Sequence, residues 1–238
     1  MSGSSILFPK KGFKRQDYTT PGTYNFVVPA GVTEIHATIV GGGGGGGAGV
    51  AGGPADGASG GGGGGVSQCI LEAVAGETWT IVVGAGGASL TVPSNAEDGG
   101  LSSVTTPRNY VPAFGGIGGE HGGGGAINGG GPGGFGGSGL TQNGGRGQDS
   151  GLFGATSAEG TFFNPAGNPG AIFGSQNSSG AGGASLGRGG DAGVFGSANN
   201  GFGQPGERGS GGGGSHNQLA SGGDGGDGVV YLKWVAGI

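Results

Sequence analysis

The chain has 238 residues, 74 of them glycine, and a net charge of −5. Hydrophobic residues make up 32%, too few for a conventional oily core of this length, while charged residues make up only 10%, fewer than a solvated disordered chain carries. Ordering a glycine costs roughly 0.5–1 kcal/mol more than ordering an alanine, so a fold this rich in glycine must recover that through dense backbone hydrogen bonding or close backbone contact.

Residues 1–17 read as a leader and attachment arm. Lys10, Lys11, Lys14 and Arg15 place four of the nine basic residues there. The remainder is acidic and has no basic stripe, which points the arm towards a protein partner and away from nucleic acid. No secretory signal opens the chain, and no run approaches the ~20 apolar residues of a membrane span.

A β block is expected over 18–83, completed by 229–235. Residues 23–28 (Thr-Tyr-Asn-Phe-Val-Val) and 34–40 (Glu-Ile-His-Ala-Thr-Ile-Val) flank a turn at Pro29-Ala30-Gly31-Val32. Ile35, Ala37 and Ile39 alternate with Glu34, His36 and Thr38, which buries one face and leaves His36 on the polar one. Residues 66–74 and 78–83 form two more strands, and Ala75-Gly76-Glu77 between them suits a hairpin. Cys69 is the single cysteine; it forms no internal disulfide, no triad spacing accompanies it, and it reads as packing. The closing strand pairs across a long sequence separation. The termini therefore meet in one small all-β sheet or sandwich. The glycine-rich region, 41–65 and 84–228, is an insertion held at both ends. No α-helix is predicted, because glycine and proline interrupt every candidate.

The glycine has a phase. Residues 115–120, 133–139 and 222–228 repeat Gly-Gly-X, while 41–47 and 60–65 are pure glycine and fit any period. A period of three matches the polyproline-II helix, whose amides point outward and need a neighbour. The expectation is a bundle of polyglycine helices, with X displayed outward on peripheral members and glycine on nearly every edge of interior ones. Collagen is excluded, since proline is only 11 residues and the repeats break.

Side-chain-bearing segments separate the runs and read as exposed loops at the bundle ends. Phe153, Phe162, Phe163, Asn164, Phe173, Phe195 and Phe202 are the candidate receptor contacts, and Phe162 and Phe163 stand out because they are adjacent. Lys10, Lys11, Lys14 and Arg15 are the candidate docking residues. Catalytic chemistry is not indicated. Gly-x-Gly-x-x-Gly matches so often that it means nothing without a following helix. His36, His121 and His216 lack metal-ligand spacing. Asp224 and Asp227 read as a solvated edge. No enzyme activity, cofactor or metal is expected.

The segment beginning at Tyr18, Tyr-Thr-Thr-Pro-Gly-Thr-Tyr-Asn-Phe-Val-Val-Pro-Ala-Gly-Val-Thr-Glu-Ile-His-Ala-Thr-Ile-Val and then glycine, resembles the start of glycine-rich domains of bacteriophage tail-fibre and virion proteins. So do Trp-Thr-Ile-Val-Val-Gly-Ala-Gly-Gly at 79–87 and Gly-Gly-Asp-Gly-Gly-Asp-Gly-Val-Val-Tyr-Leu-Lys-Trp at 222–234. The alternation of glycine runs with variable segments is similar to the distal tail-fibre adhesins of T-even-like phages. That resemblance implies a polyglycine bundle whose end loops bind a host receptor, a glycan or an outer-membrane protein. It implies a virion location at the tail or tail fibre, assembly in the host cytoplasm, and contact with other tail or fibre proteins. The chain would be a homotrimer or a monomer on a trimeric fibre. The other reading is a structural, decoration or spacer protein without receptor binding.

Overall fold

The computed structural model describes residues 12–49, 57–91, 95–121, 137–147, 182–192, 202–215 and 221–236. Its regular elements are all strands: β1 (Phe13–Tyr18), β2 (Gly22–Val27), β3 (Glu34–Val40), β4 (Val66–Glu72), β5 (Thr78–Val83), β6 (Ser102–Thr105), β7 (Tyr110–Ala113) and β8 (Val229–Val235). Two antiparallel sheets form, in the orders β1-β8-β3-β4 and β2-β5-β6-β7. The closing strand β8 lies inside the first sheet, hydrogen-bonded to both β1 and β3. The sheets face each other, with β3 against β6 and β8 against β5.

Period-two patterning explains the core. Ile35, Ala37 and Ile39 of β3 turn inward beside Val230, Leu232 and Trp234 of β8. They meet Phe26, Trp79, Ile81 and Val104 from the second sheet. Phe26 lies between Trp79 and Trp234, with ring centroids 5.9 and 5.4 Å away. These aromatics supply much of the area that a glycine-rich chain otherwise lacks. His36 is exposed on the opposite face, as the alternation requires.

The expected hairpin at 75–77 does not form. β4 and β5 belong to different sheets, and residues 73–77 cross between them, as 28–33 do between β3 and β2. The two crossings bind each other: Val28 N–H donates to the Glu77 carbonyl and Gly76 N–H to the Val28 carbonyl, both at 2.9 Å. Gly31 and Gly76 take φ of 75° and 84°, which suits glycine. A two-sided core decides this arrangement, because a hairpin would keep the apolar faces of β4 and β5 in one sheet. Two further differences concern range. Phe13–Tyr18 is a strand although most of it was assigned to the leader, and β6 and β7 fall within the expected glycine-rich insertion.

What the structure records of the glycine runs is their hydrogen bonding and their closeness, and both repeat every three residues. The N–H groups of Gly41, Gly44 and Gly47 donate to the carbonyls of Gly65, Gly62 and Ser59. Those of Gly42 and Gly45 donate to Gly100 and Glu97, and those of Gly43 and Gly46 to Gly226 and Gly223. The carbonyls repeat the pattern: Gly42 and Gly45 accept from Gly116 and Gly119, Gly43 from Gly87, and Gly44 and Gly47 from Gly212 and Ser215. The run 41–47 is thus enclosed by six others. A Cβ on successive residues would run into the carbonyls of Phe114, Ala85, Ser210, Ile117, Ala88, Gly213 and Glu120, again visiting three neighbours in turn. The run 58–65 is enclosed in the same way. Its N–H groups reach 209–215, 114–120 and Gly145, and its carbonyls accept from 41–47, Gly137 and Gly183. On the Gly-Gly-X runs at the periphery, Ile117, Glu120, Asp224 and Asp227 are exposed.

Gly44→Ala forces a methyl group against the backbone of Ile117 and Gly118. It is expected to destabilise by about 1–3 kcal/mol or more, as overpacking does. Glu120→Ala on an exposed edge should stay within about 0.5 kcal/mol. Urea denaturation of the two variants checks the difference.

Candidate functional site

The runs alternate in direction, and this fixes where their connections lie. The run 41–49 leaves the sandwich from β3, and 57–65 returns to β4. The run 84–91 leaves from β5, and 95–100 returns to β6. The run 114–121 leaves from β7, and the chain returns to the sandwich at 137–142, where Gly139 bridges Ala113 and Gln142 bridges Val66. It leaves again at 144–147 and is back by Leu186, which packs on Val40, Val66 and Val229. The outward runs 188–192 and 209–215 return through 202–207 and 221–228. All six outward runs therefore end, and their returning partners begin, at the face away from the sandwich. The connections between them, residues 50–56, 92–94, 122–136, 148–181, 193–201 and 216–220, lie outside the described residues. The first and last described residues lie at the opposite end, where Ala236 N–H donates to the Gly12 carbonyl at 2.9 Å.

This arrangement sorts the candidate residues. Phe153, Phe162, Phe163, Asn164 and Phe173 belong to the connection 148–181 and Phe195 to 193–201; all lie outside the described residues. Phe202 is described. It is exposed at the start of a returning run, at the far face. Of the candidate docking residues, Lys10 and Lys11 lie outside the described residues. Lys14 and Arg15 stand exposed on β1, opposite Trp234 and Lys233 of β8.

The rim of the far face is polar and knitted by side chains that carry no motif in the sequence. His121 N–H donates to Asn95 Oδ1 at 3.1 Å. Ser59 Oγ accepts from Glu120 N–H at 2.7 Å, and Ser215 Oγ accepts from Gly49 N–H at 2.7 Å. These serines pair backbone groups where the threefold pattern runs out, as an ordered fold requires of buried groups. Ser67, Ser102, Ser185 and Ser210 do the same at the sandwich end. Asp224 Oδ1 accepts from the N–H and Oγ of Ser89, at 2.7 and 2.8 Å, and Asp227 Oδ1 from Gly86 N–H at 2.9 Å. Those carboxylates are therefore committed to a neighbouring run. Among the described residues no cluster of three or more His, Cys, Asp or Glu side chains could hold a metal ion.

The strongest charge constellation lies at the sandwich end. Arg108 donates to both carboxylate oxygens of Glu77, at 2.7 and 3.0 Å, and to the Glu72 carbonyl at 3.2 Å. Trp79 Nε1 and Val74 N–H also donate to Glu77 Oε2, at 3.2 Å each. Arg108, and to a lesser extent Trp79 and Val74, hold the Glu77 carboxyl below its usual range against the opposing pull of desolvation. The constellation ties the 73–77 crossing to the loop between β6 and β7, which is a structural task. Cys69 is half-buried against the core, and desolvation pushes its thiol up. That makes it a poor nucleophile at neutral pH.

The family described as a glycine-rich domain matches residues 19–235. No curated protein matches the chain.

A carboxyl whose folded pKa is depressed adds stability above its unfolded value, and that stability is lost as pH falls through the folded value. Melting temperature should therefore drop as pH falls below about 4.3, the unperturbed glutamate value, and Glu77→Gln should flatten that part of the profile. An equal drop in both proteins would show that Glu77 is not the group responsible.

Proposed function

We propose that this chain, which belongs to the glycine-rich domain family, is a bacteriophage virion adhesin at a tail-fibre or tail tip that recognises a receptor on the host surface. One observation carries the reading: all six outward runs of the glycine array end at one face, where their returning partners begin, and Lys14 and Arg15 lie at the sandwich end on β1. An adhesin needs that polarity, with one end on the particle and the other towards the cell. Phe153, Phe162, Phe163, Asn164, Phe173 and Phe195 belong to the connections between these runs, and Phe202 stands exposed at the rim. Aromatic rings beside amides suit a sugar face or a protein loop. The phage assignment rests on the resemblance of residues 18–47, 79–87 and 222–234 to virion proteins. In this reading Lys14 and Arg15, with Lys10 and Lys11, face other tail or fibre proteins. Several copies on one particle would turn weak contacts into avidity. The protein would be assembled in the host cytoplasm.

The rigid array also favours a second reading, a spacer or decoration protein of the virion that contacts no receptor. Binding of the labelled full chain to a panel of intact bacterial strains separates the two. An adhesin binds some strains and not others. Replacing 148–166 by an equally long Gly-Ser segment should cut that binding at least about tenfold while leaving the melting temperature unchanged, as expected where a few residues dominate an interface. Binding to no strain, or binding indifferent to the replacement, would leave the spacer.

A further inference from the structure

The sandwich has one closed side and one open side. On the closed side, residues 137–142 bridge β7 and β4. On the open side, β1 is the edge of its sheet and is exposed from Phe13 to Asp17. Register and hydrogen bonding show which groups that edge presents. Gly12 and Ala236 continue the β1–β8 register, and Ala236 N–H donates to the Gly12 carbonyl. In an antiparallel ladder, hydrogen-bonded pairs alternate. Lys14, Gln16 and Tyr18 therefore bond to β8, while Phe13, Arg15 and Asp17 aim their N–H and C=O groups away from the sheet. The side chains of these three residues lie on the outer face. Arg15 sits 4.2 Å over the ring of Tyr231, and the Lys233 ammonium lies 4.5 Å from that of Phe13.

We propose that this edge pairs with the same edge of a second copy, in an antiparallel two-fold arrangement that sets Arg15 opposite Asp17 of the second copy and the reverse. Three constraints select this register. The outward-aimed backbone groups are on odd-numbered residues, so odd must face odd. A shift by one residue would also turn core-side residues to the outer face. Of the two compact odd registers, one stacks Arg15 on Arg15 and the other joins Arg15 to Asp17 twice. Edges guarded against pairing commonly carry charge. Within the strand Arg15 Nε donates to Asp17 Oδ1 at 2.5 Å. Across the two-fold the two such pairs meet with opposite signs facing, so their order is complementary to itself. The two sheets would join into one of eight strands, β4-β3-β8-β1 and its two-fold copy, a width that open sheets reach. The contact is small, so the dimer is a weak one in reversible exchange with monomer. The antiparallel pairing points the two glycine arrays in opposite directions, so this dimer is a state of the free protein and excludes docking through Arg15. It requires neither a virion nor a receptor.

Sedimentation velocity of the full chain, from micromolar to near-millimolar concentration, tests it. The native chain should dimerise reversibly. Asp17→Arg places like charges opposite each other twice and should raise the dissociation constant at least about tenfold. The double exchange Arg15→Asp with Asp17→Arg should restore dimerisation. Arg15→Pro is a second probe, since the N–H it removes points away from β8. It should abolish dimerisation without lowering the melting temperature by more than a few degrees. A chain that stays monomeric throughout overturns the proposal, including the case in which the edge accepts only a strand of another protein. Dimerisation indifferent to Asp17→Arg and Arg15→Pro overturns it equally.

Discussion

The fold depends on backbone lying against backbone. In the run 41–47 every N–H is taken by a neighbour, and every site where a Cβ would sit is filled by a neighbour's carbonyl. A net hydrogen bond contributes about 0.5–1.5 kcal/mol, and each glycine costs roughly 0.5–1 kcal/mol more backbone entropy than an alanine. The two nearly cancel. No single run is stable by itself, and the array stands or falls as a lattice. Burial inside that lattice supplies the cooperation, because a run that leaves strands the amides of six neighbours.

The sandwich provides what the lattice lacks, a large apolar core. Trp79, Trp234, Phe26 and the isoleucines of β3 and β5 bury a side-chain mass found nowhere else among the described residues. The sandwich also sets the phase. Runs launched from β3, β5 and β7 and received by β4, β6 and β8 start at fixed heights, so their threefold patterns meet in step. Buried serines close both ends of the array, where the lattice can no longer pair its own groups. Nearly all of these contacts join residues distant in sequence, a topology associated with slow folding.

The same construction separates tolerance from intolerance. No position of the run 41–47 has room for a Cβ, whereas outward positions such as Ile117 and Glu120 meet no such limit. The charged groups follow this division. Asp224 and Asp227 brace neighbouring runs, Glu77 and Arg108 lock the sandwich crossings, and β1 carries its charges on an open edge.

Part of this was legible because it depends on local chemistry. Alternation in 34–40 gave the buried face of β3, and the Val-Val-Tyr-Leu-Lys-Trp-Val run gave β8. The Gly-Gly-X phase at 115–120 and 222–228 gave the exposed positions Ile117, Glu120, Asp224 and Asp227. Short apolar spacing was too faint for Ser-Ser-Val-Thr and Tyr-Val-Pro-Ala to be read as β6 and β7, and the charges of Phe-Lys-Arg-Gln-Asp-Tyr hid β1. Ala75-Gly76-Glu77 was chemically suited to a hairpin, yet only the demand for two facing sheets made it a crossing. Pure glycine carries no phase, so the sequence could state that 41–47 and 60–65 have room on every side but could not choose their neighbours. The six-fold enclosure, the alternating direction of the runs and the open edge of β1 were decided by tertiary structure. Each depends on which distant backbone arrives alongside, and a side-chain pattern records that only where side chains exist.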